Sequence, residues 1–470
     1  MKVYNTLTRL IEEFKPINPP HVGMYSCGPT VYDYQHIGHM RRYVGDDILV
    51  RVLEMNKYKV RHVMNITDVG HLTSDSDTGE DKMEKGAKKF GMSVWDIAKK
   101  FEKQFFDSEK ALNIKKPDEI MHATSYIEDQ LALVEALEKK GFTYIIQGDG
   151  VYFDTSKFPD YFKLSHQKQE DLKKGARVEF VEGKKNITDF ALWKFSPSGV
   201  VKRRQMEWES PWGIGFPGWH IECSAMSMRA LGQTLDIHTG GIDHINIHHT
   251  NEIAQSQAAT GKEFVHYWVH HNFLQVEGQK MSKSLGNFYT VQDVQAKNFD
   301  PMALRYLYLQ THYRQEMNFT WESLEAAQTS FNRLTDEVSK WGEPKIGCAE
   351  FEQQFMDAVN DDLNMPKALA VMWELVRSAY PTSAKAESLF KFDEVLGLGI
   401  QKVSRVPPVR QAQGKQVSRV PREVMELVKE REELRKQKRF HLADQLRNKI
   451  KKMGYEIRDE EDGTTKISPI

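Results

Sequence analysis

The chain has 470 residues, of which 28% are charged and 40% belong to the hydrophobic set. That is an ordinary globular composition with room for two to four domains. A formal net charge of −1 excludes a polyanion binder over the whole surface, so any nucleic-acid face must be local.

Three cysteines in this length form no disulfide framework and suit a reducing cytoplasm. The opening stretch, MKVYNTLTRLIEEF, is charged throughout, so no secretory signal is expected. No run approaches the roughly 20 apolar residues of a membrane helix.

Residues 22–27 (VGMYSC) read as a short buried strand, followed by the turn GPTVYDYQHIG. From His39 the residues Met40, Val44, Ile48, Val52 and Met55 recur at helical spacing. YKVRHVMNITD then reads as a second strand. Strand, glycine turn, helix and strand make a βαβ unit and favour a parallel sheet, whose ligands lie at the C-terminal strand ends. Cys27, His36, Thr67 and Asp68 would share that edge.

Residues 70–89 read as a polar loop and 92–140 as helical. Short strands and turns through about residue 212 read as an insertion between two halves of the sheet. The sheet resumes at LDIHTGG (235–241), with a helix over 248–260 and a strand in FVHYWVHHNFL. From 300 to 397 the pattern is nearly all helical. Residues 401–420 hold five basic residues and no acidic ones, and VSRVP occurs at 403–407 and 417–421; this reads as a linker. A last helical segment carries eleven Lys/Arg against six Asp/Glu over 422–452, and a short hairpin ends the chain.

Two stretches suit phosphate chemistry. HIGH at 36–39 sets two imidazoles three residues apart where a helix begins, and free N–H groups there attract anions. Gly38 leaves room for a flat ring against the backbone. KMSKS at 280–284 puts Lys280 and Lys283 on a glycine-bounded loop, where two ammonium groups can clamp a triphosphate. Each alone has a bland reading, as helix-capping histidines or a solvated basic loop. Together, in this order, they are a strong signal. GIGFPG at 213–218 matches a dinucleotide fingerprint, but its proline and lack of a strand-then-helix context make it a loop before Trp219.

The pair resembles the signature of the class I aminoacyl-tRNA synthetases. That resemblance implies a Rossmann-type fold activating an amino acid with ATP and Mg²⁺, and passing it to the terminal ribose of a tRNA. By position His36 and His39 would stabilise the α-phosphate, while Lys280 and Lys283 would hold the pyrophosphate.

Cys27, Cys223 and the helix-spaced His248 and Glu252 form a plausible zinc set of two thiolates, an imidazole and a carboxylate. It is not HExxH. Spacing alone leaves open whether these residues meet. The segments GWHIECSAM, HTGGID, HHTNEIAQ, KMSKSLGNF and DDLNMPKALA resemble the cysteinyl-tRNA synthetase family along the whole chain. The resemblance implies one zinc ion on Cys27, Cys223, His248 and Glu252 that binds the substrate thiolate. It places Thr67 and Trp219 at the cysteine and Gly38, Gly240, Gly241, Asp243 and Lys283 at ATP.

It implies an α/β fold: a Rossmann-type parallel-sheet catalytic domain with an insertion, then an α-helical bundle and a small C-terminal anticodon-binding domain. The expected segments are 1–115 and 219–270 for the two sheet halves, 116–218 for the insertion and 271–325 for the KMSKS loop and stem-contact region. The bundle follows at 326–400, the basic linker at 401–420 and the anticodon-binding domain at 421–470. The expected partners are cysteine, ATP and tRNA(Cys), with a monomeric enzyme. A same-fold ligase joining cysteine to an amino-sugar is the rival reading, and the C-terminal segment argues against it. The longer polar loop VGHLTSDSDTGEDKM departs from the commoner family form.

Overall fold

The computed structural model describes residues 1–70, 81–167, 182–196, 204–401, 422–437, 439–459 and 465–469. They fall into two compact units, 1–405 and 406–470. The core of the expected polar loop (71–80) and nearly all of the expected linker (402–420) lie outside the described residues.

A hairpin of β1 (Lys2–Asn5) and β2 (Leu10–Glu13) precedes β3 (His21–Ser26), α1 (Ile37–Met55) and β4 (Lys59–Ile66). Next come α2 (Lys82–Phe90), α3 (Val94–Ala111), β5 (Glu119–His122) and α4 (Ile127–Lys139). Strands β6 (Thr143–Ile146), β7 (Gly150–Phe153), β8 (Phe190–Phe195) and β9 (Gly215–Pro217) form a separate antiparallel sheet. The chain returns through α5 (Trp219–Leu231), β10 (Leu235–Gly241), α6 (His248–Thr260) and β11 (Val265–His271).

The main sheet has the order β11-β10-β3-β4-β5, and every pairing in it is parallel. From β3 the chain first builds outward to β4 and β5, then returns to the other side for β10 and β11. The strand order therefore reverses between β3 and β10, where open parallel sheets leave a ligand crevice at their C-terminal edge.

Helix α1 is enclosed along most of its length, with charged Arg41, Asp46, Asp47 and Arg51 buried beside Ile48, Leu49 and Val52. Such charges need internal partners. Asp46 takes a hydrogen bond from Arg42 at 2.9 Å and pairs with His271 Nε2 at 2.9 Å. Asp47 accepts from Arg51 at 2.8 Å and from the fully buried Arg305 at 2.5 Å. Arg41 donates to four backbone carbonyls: Asn272 (3.0 Å), Phe273 (2.7 Å), His312 (3.2 Å) and Gln315 (2.7 Å).

Beyond the sheet, β12 (Leu274–Val276) pairs antiparallel with β13 (Gln279–Lys280) and parallel with β14 (Met317–Phe319). The helices Trp321–Val338, Ala349–Val359, Met365–Arg377 and Thr382–Leu396 complete the first unit. The second unit holds the helices Arg422–Lys436 and Phe440–Lys452 and the hairpin Tyr455–Asp459 with Thr465–Pro469. Val424, Leu427, Val428, Ile450 and Ile457 form its core.

Several local expectations change. The 92–140 stretch is not all helix. The helix α3 ends at Ala111 with Asn113 at φ 53°, and Asp118 anchors β5 through 2.8 and 2.9 Å hydrogen bonds with the His62 backbone. The last strand of the main sheet thus lies within the segment expected as an insertion. Residues 82–89 of the expected polar loop belong to α2, capped by Asp81 accepting from Glu84 N. Part of GIGFPG is the strand β9. The basic C-terminal stretch is two helices, not one.

Candidate functional site

Cys27 follows β3 directly, and its N–H donates to Thr239 O of β10 at 3.3 Å. Cys223 lies on α5, while His248 and Glu252 open α6 one turn apart. The ligand atoms of these four buried residues all lie within 4.8 Å of one another. Glu252 Oε1 stands 3.0 Å from His248 Nε2, close enough for both to face one cation. Their outer atoms are held. His248 Nδ1 meets His220 Nδ1 at 3.0 Å, and Glu252 Oε2 meets His238 Nε2 at 2.9 Å. That is how metal ligands are oriented. Cys27 Sγ also lies 3.3 Å from His249 Nε2, and His249 Nδ1 meets His270 Nε2 at 2.7 Å.

Burial alone would keep His248 neutral, but Glu252 and Cys27 overcome it and push the ring up to about 10. Burial would also raise the Cys27 thiol. Hydrogen bonding with Cys223 and the charges of His249 and His248 overcome that and draw it well below its usual range. A buried site that stabilises positive charge between a thiolate and a carboxylate suits a divalent metal, which would take the place of the His248 proton. The ligand atoms of Cys27, His238, His249 and Glu252 likewise lie within 4.8 Å of one another, and this set shares two residues with the first.

Thr67 directly follows β4 and bridges to Thr30. Its hydroxyl accepts from Asn65 Nδ2 and donates to Glu222 Oε2, both at 3.1 Å. Trp219 stands with its ring 4.6 Å from that of His248. Gly240 must lack a side chain, because a Cβ there would come within 2.5 Å of the His249 ring and 2.8 Å of His244 Nδ1. Gly241 likewise leaves room for the carboxylate of Asp243, which lies on the short turn Ile242–His244.

His36 caps α1. Its Nδ1 accepts the N–H of His39 at 3.1 Å, and His39 Nδ1 accepts the N–H of His36 at 3.4 Å. The two rings stack with centroids 3.5 Å apart. Burial holds His36 down to about 4, so its ring is neutral at pH 7. A neutral ring whose Nδ1 accepts carries its proton on Nε2. The pair therefore presents N–H donors at the positive end of a helix, an anion-binding arrangement.

Lys283 reaches this point from the loop after β13. Its ammonium lies over the Phe288 ring at 4.6 Å, and Phe288 sits edge-on to His36 at 5.2 Å. Lys280, at the end of β13, is exposed, and its carbonyl accepts from Asn287 at 3.2 Å. Gly38 borders the His36 ring, with a notional Cβ 3.0 Å from Cε1.

The structure thus brings the expected metal ligands together, and separately the histidine pair with Lys283. The sequence is rich in histidine here, at 238, 244, 249, 270 and 271, a pattern open to both supporting and structural roles. His238 and His249 touch the cluster directly, and the local density of histidine was the available signal. His220, Asp33 and Arg41 were missed. Nothing in residue type or spacing distinguished them.

The family model for the tRNA synthetases class I (C) catalytic domain matches residues 13–329. A DALR domain matches 354–401, and the Cysteinyl-tRNA ligase anticodon binding domain matches 418–465. A Mycobacterium tuberculosis methionyl-tRNA synthetase superposes with a TM-score of 0.55 at 16% identity, over 82% of this chain and 91% of that one. An Agrobacterium radiobacter LeuRS gives 0.57 at 12% identity, over 83% and 85%. The fold is that of a class I aminoacyl-tRNA synthetase.

Cysteine-tRNA ligase 1 of Burkholderia lata is 48% identical over 98% of this chain and 96% of its own length. The Thermococcus gammatolerans cysteine-tRNA ligase is 42% identical over 99% and 98%. The chain belongs to the cysteine-tRNA ligase family.

Proposed function

We propose that this protein activates cysteine with ATP and transfers it to the 3′ end of tRNA(Cys), with zinc on Cys27, Cys223, His248 and Glu252. The observation that carries the reading is one sheet edge holding both halves of the chemistry. A buried cluster of two cysteines, a histidine and a glutamate follows β3, and an anion-binding histidine pair opens α1 nine residues later. Zinc in this cluster would supply a soft acceptor for the substrate thiolate. Cysteine and serine differ by one atom, which a pocket reading only shape separates poorly, whereas a soft metal separates sulfur from oxygen.

Thr67 and Trp219 flank the amino acid. Its carboxylate oxygen attacks the α-phosphorus of Mg²⁺-ATP, an O–P bond forms, and the bond to pyrophosphate breaks. His36 and His39 donate Nε2–H to the phosphate region, and Lys280 and Lys283 follow the charge onto the pyrophosphate. Gly240 and Gly241 admit the adenosine, beside Asp243. A ribose hydroxyl of the tRNA then attacks the activated carbonyl, and AMP leaves. The enzyme contributes no nucleophile, so positioning and electrostatics carry both steps.

We take residues 421–470 as the anticodon-binding domain, 326–400 as the bundle, and the chain as a cytoplasmic monomer. No helix among the described residues is long and apolar enough to cross a membrane. Cysteine-dependent ATP–pyrophosphate exchange followed by transfer to tRNA(Cys) tests the reading. Exchange with no transfer to any tRNA would instead favour a ligase with a small acceptor such as an amino-sugar.

A further inference from the structure

The segment between Cys27 and His36 carries a group that neither half of the chemistry uses. Asp33 lies on this turn with 19% of its side chain exposed. Its Oδ1 accepts from Tyr34 N at 2.8 Å, which fixes the rotamer. Its Oδ2 is paired with Lys283 Nζ and lies 3.3 Å from Lys89 Nζ of α2. The ammonium of Lys283 is therefore held from two sides, by the Asp33 carboxylate and by the face of Phe288.

The rest of the loop is ordered to match. Ser282 N donates to Asn287 Oδ1 at 2.7 Å, and Gly286 N to Lys283 O at 3.2 Å with Gly286 at φ 69°. After the loop, Tyr289 O accepts the N–H of Ile37 at 2.9 Å. The loop is thus folded onto the start of α1.

We propose that Asp33 is a positioning residue for Lys283. It holds the loop lysine beside the His36–His39 pair in the empty enzyme and gives it up to the triphosphate. A carboxylate suits this task because it is a weaker partner than a triphosphate. The exposed side of the pair stays hydrated and screened, so exchanging it for phosphate oxygens costs little. Without it a flexible four-carbon side chain on a loop must be ordered when ATP arrives, which lowers the competent fraction of the free enzyme. Lys89 keeps the Asp33 charge compensated after Lys283 leaves.

The inference rests on the proposed role of Lys283 in activation, and the test separates the two. The variants Asp33→Asn, Lys283→Ala and the double variant are compared by ATP–pyrophosphate exchange, with trypsin cleavage of the 280–287 loop measured with and without ATP. An exposed ion pair limits the effect to about fivefold. Asp33→Asn is expected to lower kcat/KM for ATP by about three- to fivefold at unchanged KM for cysteine and unchanged metal content. It is also expected to speed loop cleavage in the absence of ATP but not in its presence.

In the Lys283→Ala background, Asp33→Asn is expected to have no further effect on exchange, because a residue acting through Lys283 has nothing left to position. The same loss in both backgrounds, a gain in activity, or unchanged loop cleavage would overturn the proposal while leaving the reading of Lys283 intact. Full activity of Lys283→Ala alone would overturn that reading instead.

Discussion

Arg41→Met removes a four-bond tie between α1 and the sheet that carries the lysine loop. The guanidinium is 5% exposed and bonds four carbonyls, two just before β12 and two just before β14. Burial lowers it to about 10, so it stays charged at pH 7. A hydrogen bond to a charged donor contributes about 1.5 kcal/mol net, and counting only the two bonds at 2.7 Å gives a loss of about 3 kcal/mol. Water entering the space would satisfy the other two carbonyls.

At about 2.1 cal/mol/K per residue, a unit spanning 1–405 that melts as one would lose roughly 3–4 °C in Tm. The functional effect should be larger. His36 and Lys283 sit on the two elements this residue joins, and a shift of about 1 Å between catalytic groups can cost on the order of 10²-fold. The expected result is a kcat for ATP–pyrophosphate exchange reduced at least about tenfold, with KM for cysteine within twofold of the parent and metal content unchanged. Arg41→Lys keeps the charge but cannot span both pairs of carbonyls, so it should recover Tm better than rate. A fall in Tm with full exchange activity would refute the idea that Arg41 aligns the two motifs. An unchanged Tm would refute the energetic argument.

Cys223→Ser should lose bound zinc and exchange activity together, read by atomic emission on the purified protein, since a hydroxyl is a poor ligand for a soft site. Full activity without metal would remove the proposed role of the cluster. Glu109, buried on α3 near Asp47 and Asp46, is pushed up to about 8 by burial, with those carboxylates adding to the rise and Arg42 opposing it. Its folded value lies above the unfolded 4.5, so the native state binds the extra proton between these limits. Stability therefore falls as pH rises from 4.5 to 8, by at most on the order of 4 kcal/mol. Glu109→Gln should melt higher than the parent at pH 8 and level with it near pH 4.5; an equal difference at both would refute this.

The helix and strand pattern around the site was legible because its elements are long and strongly patterned. The apolar spacing of α1 and the β-branched run of β4 survive enclosure by other parts of the chain. The β5 strand was not legible. Four residues after a proline have no periodicity to read, and only pairing with β4 makes them a strand. The metal ligands had the right types, but their meeting depends on α5 and α6 packing under β3 and β10, which no local pattern encodes. Family resemblance supplied that assignment. Arg41 and Asp33 stayed hidden for a different reason. Each bonds groups more than 200 residues away in the chain, and a charged residue on a helix or turn reads as solvated until its partners are known.

The turn from Gly28 to Gln35 explains why the two halves of the chemistry must share one segment. Adenylation needs the cysteine carboxylate close to the α-phosphorus and in line with the departing pyrophosphate. If metal cluster and phosphate site sat on independent elements, any slip between them would enter that distance directly. Here the turn is bonded at intervals to the neighbouring strand and helix. Gly28 N donates to Asn65 Oδ1 at 2.7 Å, Val31 N to Thr67 O at 3.1 Å and Gln35 N to Gln104 Oε1 at 3.1 Å. Gly28 has no room for a side chain, since a Cβ would come within 1.4 Å of Asn65 O. A segment held this closely acts as a spacer of fixed length between sulfur and phosphate. The same segment carries Asp33, so the spacer that sets the reacting distance also reaches the loop lysine. A change at Gly28 should therefore damage cysteine binding and ATP use together, whereas a change at Asp33, whose carboxylate pairs with Lys283 and Lys89, should touch ATP use alone.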